Sequence, residues 1–300
     1  MSAKKRPILS VLVILGCVAL LLCSTMIIIF NVLGSSSPLS FHDKIGVIQI
    51  DGTISSSRAI TSKLVKFRKD NKIKAIILRI NSPGGSVGPS QEIYREVRRT
   101  IKTKKVIASL GCVAASGGYY VASAADRIVA DPGTITGSIG VIMQFIRIED
   151  LLGKMGVDFE ILKSGEFKDI GSPARKLTER DKEILNRLID DIQTQFVEAV
   201  ARGRNLSIEK VSEIADGRVF SGARAKELGL VDVIGNFEDA VEITKEMAGL
   251  EGEVHLVYPK KSKLELWERF IETSGKAVIR LLQGMKPVLE YRWSGFLAHV

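Results

Sequence analysis

Apolar residues run almost without interruption from Ile8 to Phe30, and no later stretch of the chain matches that run. Beyond it the pattern shifts to short apolar runs separated by segments in which apolar residues recur every three or four positions. The runs KIGVIQIDGTI (44–54), KAIILRINS (74–82) and KVIASLG (105–111) are closed by turn signals such as Asp51-Gly52, and their lengths predict buried strands. Between them, residues 57–70 place Ile60, Leu64 and Phe67 at helical spacing, and residues 90–102 do the same with Ile93, Val97 and Ile101. Strand alternating with helix predicts parallel βαβ units and an α/β fold.

The alternation continues through RIVADP (127–132), LLGKMG (151–156) and the β-like VDFEILK (157–163). A long helix is predicted over 178–203, where Ile184, Leu188, Ile192 and Phe196 repeat and Thr178 with Asp181 forms a loose capping box. Residues 207–235 read as short helices around a turn, and 237–248 as a further helix. One folded domain over 44–257 accommodates all of these elements. The segment 258–300 differs, with Leu264, Trp267, Phe270, Val278, Ile279 and Leu282 spread among lysines and arginines. It reads as an amphipathic helical segment, packed on the domain or a sister subunit or lying on a membrane surface.

As a helix, residues 8–30 would extend about 34 Å, enough for a hydrocarbon core of about 30 Å. A cleavable signal peptide has a shorter apolar region, about 7–15 residues, and a small-residue cleavage pattern, so an uncleaved anchor is the expectation. Lys4, Lys5 and Arg6 precede the run and the next basic residue after it is Lys44. This asymmetry keeps residues 1–7 in the cytoplasm and sends the domain across the membrane. The serine-rich residues 31–43 then serve as a linker.

The formal charge of +9 changes this picture little. Its basic residues are scattered, no aromatic-interleaved basic stripe accompanies them, and a nucleic-acid partner is not expected. A surface near anionic lipid accounts for the charge more simply. The three cysteines, Cys17, Cys23 and Cys112, are too few for a disulfide framework, and Cys112 reads as a small buried hydrophobe.

Candidate chemistry centres on AASGGYYVASAA (114–125), where Ser116 can be a nucleophile or a helix N-cap. The three histidines, His42, His255 and His299, are poorly placed by sequence for a Ser-His-Asp triad. Lysine is the other base that activates serine, but it must first lose its proton. Lowering a lysine from about 10.4 to about 7.5 takes roughly 4 kcal/mol of destabilisation of the charged form. Lys168 stands in KSGEFKDIGSP (163–173), a loop after a β-like segment; its plain alternative is a solvated surface lysine. In NSPGGS (81–86) two glycines end a strand, as a plain turn or as a backbone that leaves N–H groups free for an oxyanion.

Taken together, IDGTI, LRINSPGGSV, VIASLGCVAASGGYYVASAADRIVADPGTITGSIGVI and LKSGEFKDIGSPARKLTERDK closely resemble the signal peptide peptidase A family, membrane-bound serine proteases of bacteria. The resemblance covers residues 44–245 and is to the short, single-domain form. It implies a ClpP/crotonase-like fold of repeated β-β-α and βαβ units behind one N-terminal transmembrane helix. It further implies Ser116 as nucleophile, Lys168 as general base and acid, and Ser138 of TGSIG as the residue that orients the lysine. The PGG turn matches the oxyanion strand, so the amides of Gly84, Gly85 and Gly117 are the candidate oxyanion donors. Subunits of the family form a ring in which neighbours share active sites, and the substrates are apolar signal-peptide remnants in the membrane. No cofactor or metal is required. The resemblance places the protein in the cytoplasmic (inner) membrane of a bacterium, with an extracytoplasmic catalytic domain. A crotonase-like acyl-CoA enzyme and a non-enzymatic membrane scaffold of the same fold are the alternatives.

Overall fold

The computed structural model describes residues 16–26, 43–259 and 289–292. The chain divides into two compact units, residues 1–42 and 43–300. In the first, residues 16–26 form helix α1, with Leu20, Leu21, Leu22 and Met26 exposed. Among the described residues no helix is long and apolar enough to cross a membrane. The rest of the predicted span, the linker up to residue 42, and most of the amphipathic segment 258–300 lie outside the described residues.

In the second unit, β1 (Lys44–Asp51), α2 (Arg58–Lys69), β2 (Ile73–Ser82), β3 (Gly84–Ser86), α3 (Val87–Thr100) and β4 (Lys105–Ala115) come first. Then follow α4 (Gly117–Ala122), β5 (Arg127–Ala130), β6 (Ile135–Gly137), β7 (Ile142–Met143), α5 (Glu149–Lys154) and α6 (Glu179–Arg204). The unit closes with α7 (Ile208–Ser212), β8 (Val219–Ser221), α8 (Gly222–Glu227), β9 (Val233–Ile234), α9 (Phe237–Ala248), β10 (His255–Val257) and β11 (Leu289–Arg292).

The main sheet runs β10-β1-β2-β4-β5-β9, all parallel. Alternate residues of its strands enter separate cores: Ile48, Ile50, Ile76, Leu78 and Ile80 on one face, Ile45, Val47 and Ile77 on the other. Burial on both faces is why these strands read as nearly continuous apolar runs. The first face also packs against Leu64 and Phe67 of α2, Ile93 and Val97 of α3, and Phe196 and Val200 of α6. Val241 of α9 covers the second.

Four segments differ from the sequence reading. β4 continues to Ala115 because its second half leaves β5 and pairs with β6, Val113 facing Ile135 and Ala115 facing Gly137. Residues 157–163 form no strand; Val157, Phe159, Ile161 and Leu162 stay exposed with no neighbouring strand to accept their alternation. Cys112 is exposed rather than buried. Finally, residues 289–292, assigned by pattern to an amphipathic helical segment, form a strand held between β3 and β7.

The long helix α6 begins at the predicted capping box, with Thr178 accepting from the Asp181 amide and Asp181 accepting from the Thr178 amide. Near its other end Gly203 passes against the chain end of α4, where an added Cβ would collide with the Ser123 carbonyl. Alanine outranks glycine by about 1 kcal/mol in a helix interior. Here backbone contact opposes that gain, so Gly203→Ala is expected to lower the urea midpoint, and a raised midpoint would contradict this packing.

Candidate active site

Three strand ends meet at the carboxyl edge of the parallel sheet, the usual place for sites in open α/β sheets. β2 ends at Ser82, ahead of Pro83 and the glycines of β3; β4 runs into Ser116; β6 runs into Ser138. The Ser116 N–H donates to the Gly137 carbonyl at 2.8 Å, so the ladder between β4 and β6 extends to the serine itself. Ser116 then turns the chain sharply into α4, with φ +52° and ψ −117°. A non-glycine residue held there stores on the order of 1–3 kcal/mol of backbone strain. Strained strand-to-helix turns of this kind present nucleophilic serines in α/β hydrolases.

The helix-cap reading is only half met. Ser116 occupies the N-cap position of α4, but its side chain makes no capping hydrogen bond. The residue is 1% exposed, and the rigid neighbours that hold it include Tyr119, whose hydroxyl donates to the Leu230 carbonyl at 2.8 Å. Ser138 lies beside it at the end of β6, also at positive φ, +51°, and its N–H donates to the Arg218 carbonyl.

The glycines supply the opposite wall. Gly84 and Gly85 have φ of +101° and +157°, in the region that favours glycine. Ile54 of the IDGTI segment pins them, its N–H donating to Gly84 O and its carbonyl accepting from Ser86 N, both at 2.8 Å. A Cβ on Gly84 would lie 2.6 Å from Gly117 N and would collide with the Tyr291 carbonyl oxygen. A Cβ on Gly117 would lie 3.1 Å from that same oxygen and 3.2 Å from Gly85 N. One peptide carbonyl therefore already rests against the glycine backbones beside Ser116. The Gly84 N–H is turned away, donating to Ser82 Oγ at 3.1 Å, which leaves the Gly85 and Gly117 amides as the nearer pair. Neither Tyr291 nor Ile54 was marked by the sequence as part of the site; IDGTI carried the signal for Ile54, and no local pattern carried one for Tyr291.

Lys168 stands apart. It is exposed on a turn, and among the described residues neither its amine nor the Ser116 hydroxyl takes a hydrogen bond. Its loop is nonetheless well tied. Arg175 grips Asp169 through two 2.9 Å bonds and reaches Asp181 of α6, while Lys163 bonds Asp169 at 2.7 Å. The hydrogen bonds from Arg175, then from Lys163, hold the Asp169 carboxyl well below the usual carboxylate range. Arg175 likewise lowers Asp181 to about 2. Thus the structure gathers Ser116, Ser138, Gly84, Gly85 and Gly117, and presents Lys168 outward on a braced loop.

The parallel α/β core is that of a ClpP-like domain, and the Clp protease family matches residues 39–131. The match to Peptidase family S49 covers residues 98–251, and the chain belongs to that family, as an SppA-like serine peptidase. A candidate protease of Synechocystis sp. is 45% identical over 82% of this chain and 84% of its own length. A candidate signal peptide peptidase SppA of Enterococcus faecium is 34% identical over 77% of this chain and 72% of its own. Protease 4 of Haemophilus influenzae is 38% identical over 68% of this chain but only 35% of its own length. Membership in a peptidase family favours the peptidase reading over the acyl-CoA alternative.

With its native carboxyl near 2 against about 3.9 in an unfolded chain, Asp181 contributes stability that is complete above about pH 4 and lost as the pH falls toward 2. Amide exchange at Lys168 and Ile170, whose N–H groups close turns onto Gly165 and Phe167, is expected to accelerate over that window. Arg175→Met should move the onset upward. An unchanged onset in that variant would show that Arg175 does not brace the loop.

Proposed function

We propose that the protein is a membrane-anchored serine endopeptidase that uses Ser116 and Lys168 as a dyad and degrades cleaved signal peptides and similar apolar peptides. The observation that carries this reading is the uncapped hydroxyl of Ser116, fixed on a strained turn against glycine backbones where a peptide carbonyl already rests. Neutral Lys168 takes the Ser116 proton as the hydroxyl oxygen attacks a peptide carbonyl. The Gly85 and Gly117 amides stabilise the oxyanion, Lys168 protonates the departing amine, and water then releases the acyl group. Ser138, adjacent to the nucleophile, orients the lysine amine.

We assign the lysine to a neighbouring subunit of a ring. Exposure of Lys168 in the single chain supports this, as do the exposed apolar side chains Ile142, Ile146, Leu151, Met155, Phe159 and Leu162 that precede it in sequence. Exposed apolar patches of this kind mark association surfaces. Burial there would also remove Lys168 from water. The run Ile8–Phe30 supports the anchor, with the catalytic domain on the far side of the membrane from Lys4, Lys5 and Arg6.

Detergent-solubilised protein is expected to cleave apolar peptides, and Ser116→Ala and Lys168→Ala should each abolish cleavage while the oligomer persists in sedimentation. Mixing the two inactive variants should restore part of the activity, because some sites then combine an intact serine with an intact lysine. Full activity in either single variant would refute the dyad, and no recovery after proven subunit mixing would place both residues in one chain.

A further inference from the structure

Most of the described arginines meet a carboxylate. Arg68 and Arg99 pair with Glu96, Arg127 and Arg204 with Asp232, Arg175 with Asp169 and Asp181, and Arg218 with Asp216. One region departs from this pattern. Arg95 and Arg98 of α3, Lys102 just past its end and Arg202 of α6 line a single cleft, and among the described residues none of the four takes an ion pair or a hydrogen bond. Scattered along the sequence, these charges converge only when the two helices lie side by side.

Helical spacing builds the cleft. Residues 95, 98 and 102 fall three and four apart along one stripe, and 195, 198 and 202 repeat that spacing on α6. Two polar ties hold the stripes together: Gln91 Nε2 donates to Gln195 Oε1 at 2.9 Å, and the Tyr94 hydroxyl donates to the Ala199 carbonyl at 3.2 Å. Between them the rings of Tyr94 and Tyr120, both buried and 4.9 Å apart, complete the lining. Burial raises the pKa of both phenols, and the nearby cations Arg98 and Arg202 at Tyr94, and Arg95 and Arg202 at Tyr120, pull the other way. The cleft encloses about 590 Å³, a volume within the range of small-ligand sites. Counting Arg99, its lining carries five cations against one carboxylate, Glu198.

Like charges at these helical spacings repel one another, and clefts lined by one sign of charge concentrate the opposite ion. Guanidinium forks match phosphate oxygens two at a time, and phosphate packs more negative charge into a small volume than carboxylate does. We propose that the cleft between α3 and α6 is a binding site for a phosphate-bearing anion, a free diphosphate or the headgroup of an anionic phospholipid, held by Arg95, Arg98, Lys102 and Arg202. Glu198 lines the same cleft without pairing to any of them and limits the affinity as a like charge to the ligand. Neither Ser116 nor Lys168 lines this cleft, so the site stands independently of the proposed dyad.

The test titrates the full chain by calorimetry in an uncharged detergent at about 0.15 M salt, where charges more than about 8 Å apart are screened. Inorganic pyrophosphate probes the free source, and dihexanoyl-phosphatidylglycerol the lipid source, with dihexanoyl-phosphatidylcholine as its net-neutral control. A hexaglutamate peptide supplies a carboxylate anion for comparison. At least one phosphate probe should bind once per chain and raise the melting temperature with its concentration, and the tighter of the two names the source. Arg98→Gln and Arg202→Gln should each weaken that binding about tenfold. Glu198→Gln, which removes the lining carboxylate, should tighten it severalfold, while Lys226→Gln, which removes an exposed charge on α8, should leave it unchanged. Should Arg98→Gln melt early without ligand, Arg98→Lys keeps the charge, loses the fork and is expected to weaken binding as well. Binding of neither phosphate probe, equal weakening by Lys226→Gln, or hexaglutamate or phosphatidylcholine bound as tightly as the phosphate probes overturns the proposal. Peptide cleavage plays no part in the readout, so loss of the dyad and loss of this site are told apart.

Discussion

The parallel ladder between β4 and β6 is the constraint from which the site follows. Because Ala115 faces Gly137 and the Ser116 N–H bonds the Gly137 carbonyl, the chain is held in the sheet until the residue that must turn. The turn into α4 then has no freedom left to relax, and Ser116 stays at positive φ with its hydroxyl unused by the helix it begins. Strain of about 1–3 kcal/mol is affordable only where the surroundings over-determine the conformation. Here they do: Tyr119 is anchored to Leu230, Gly118 lies so close to the Ser82 carbonyl that a Cβ would sit 2.8 Å from it, and Ser138 is fixed by Arg218.

That arrangement explains which parts of the molecule could be read in advance. Ile76, Leu78 and Ile80 point to one core and Ile45, Val47 and Ile77 to the other, so burial on both faces left a plain record in composition. The start of α6 was legible because Thr178 and Asp181 satisfy each other locally. Ser116, Ser138 and the glycines could be singled out, but their meeting depends on the change of partner by β4 at Val113, which no local pattern announces. Residues 157–163 show the reverse case, since alternation alone makes no strand when none of the described strands pairs with it. β11 is the extreme example. Its identity as a strand comes entirely from β3 and β7, which are distant in sequence, and its central residue is an aromatic that suits a helix face equally well.

Electrostatics set the Ser116 region apart from the loop that carries Lys168. The serine side contains few charges and is organised by backbone bonds and close glycine contacts, which suits stabilising a developing oxyanion with fixed dipoles. The lysine side is a surface network in which Arg175 joins Asp169 and Asp181, and Lys163 joins Asp169. Exposed ion pairs contribute little stability singly, but a network in fixed geometry can aim a loop. Lys168 stands exposed on that loop.

The glycine wall makes a second demand that the first does not. A Cβ at Gly84 would collide with the Tyr291 carbonyl of β11, and one at Gly85 would lie 2.6 Å from the Ile54 nitrogen, so both positions are specified by the approach of backbone on either side. Glycines that served a turn alone would need only their φ angles. Here the space they clear holds the Tyr291 peptide carbonyl. Tyr291 of β11 lies with its carbonyl against these glycines and its buried ring on Tyr120 and Phe196, so the last described strand of the chain completes the packing around them.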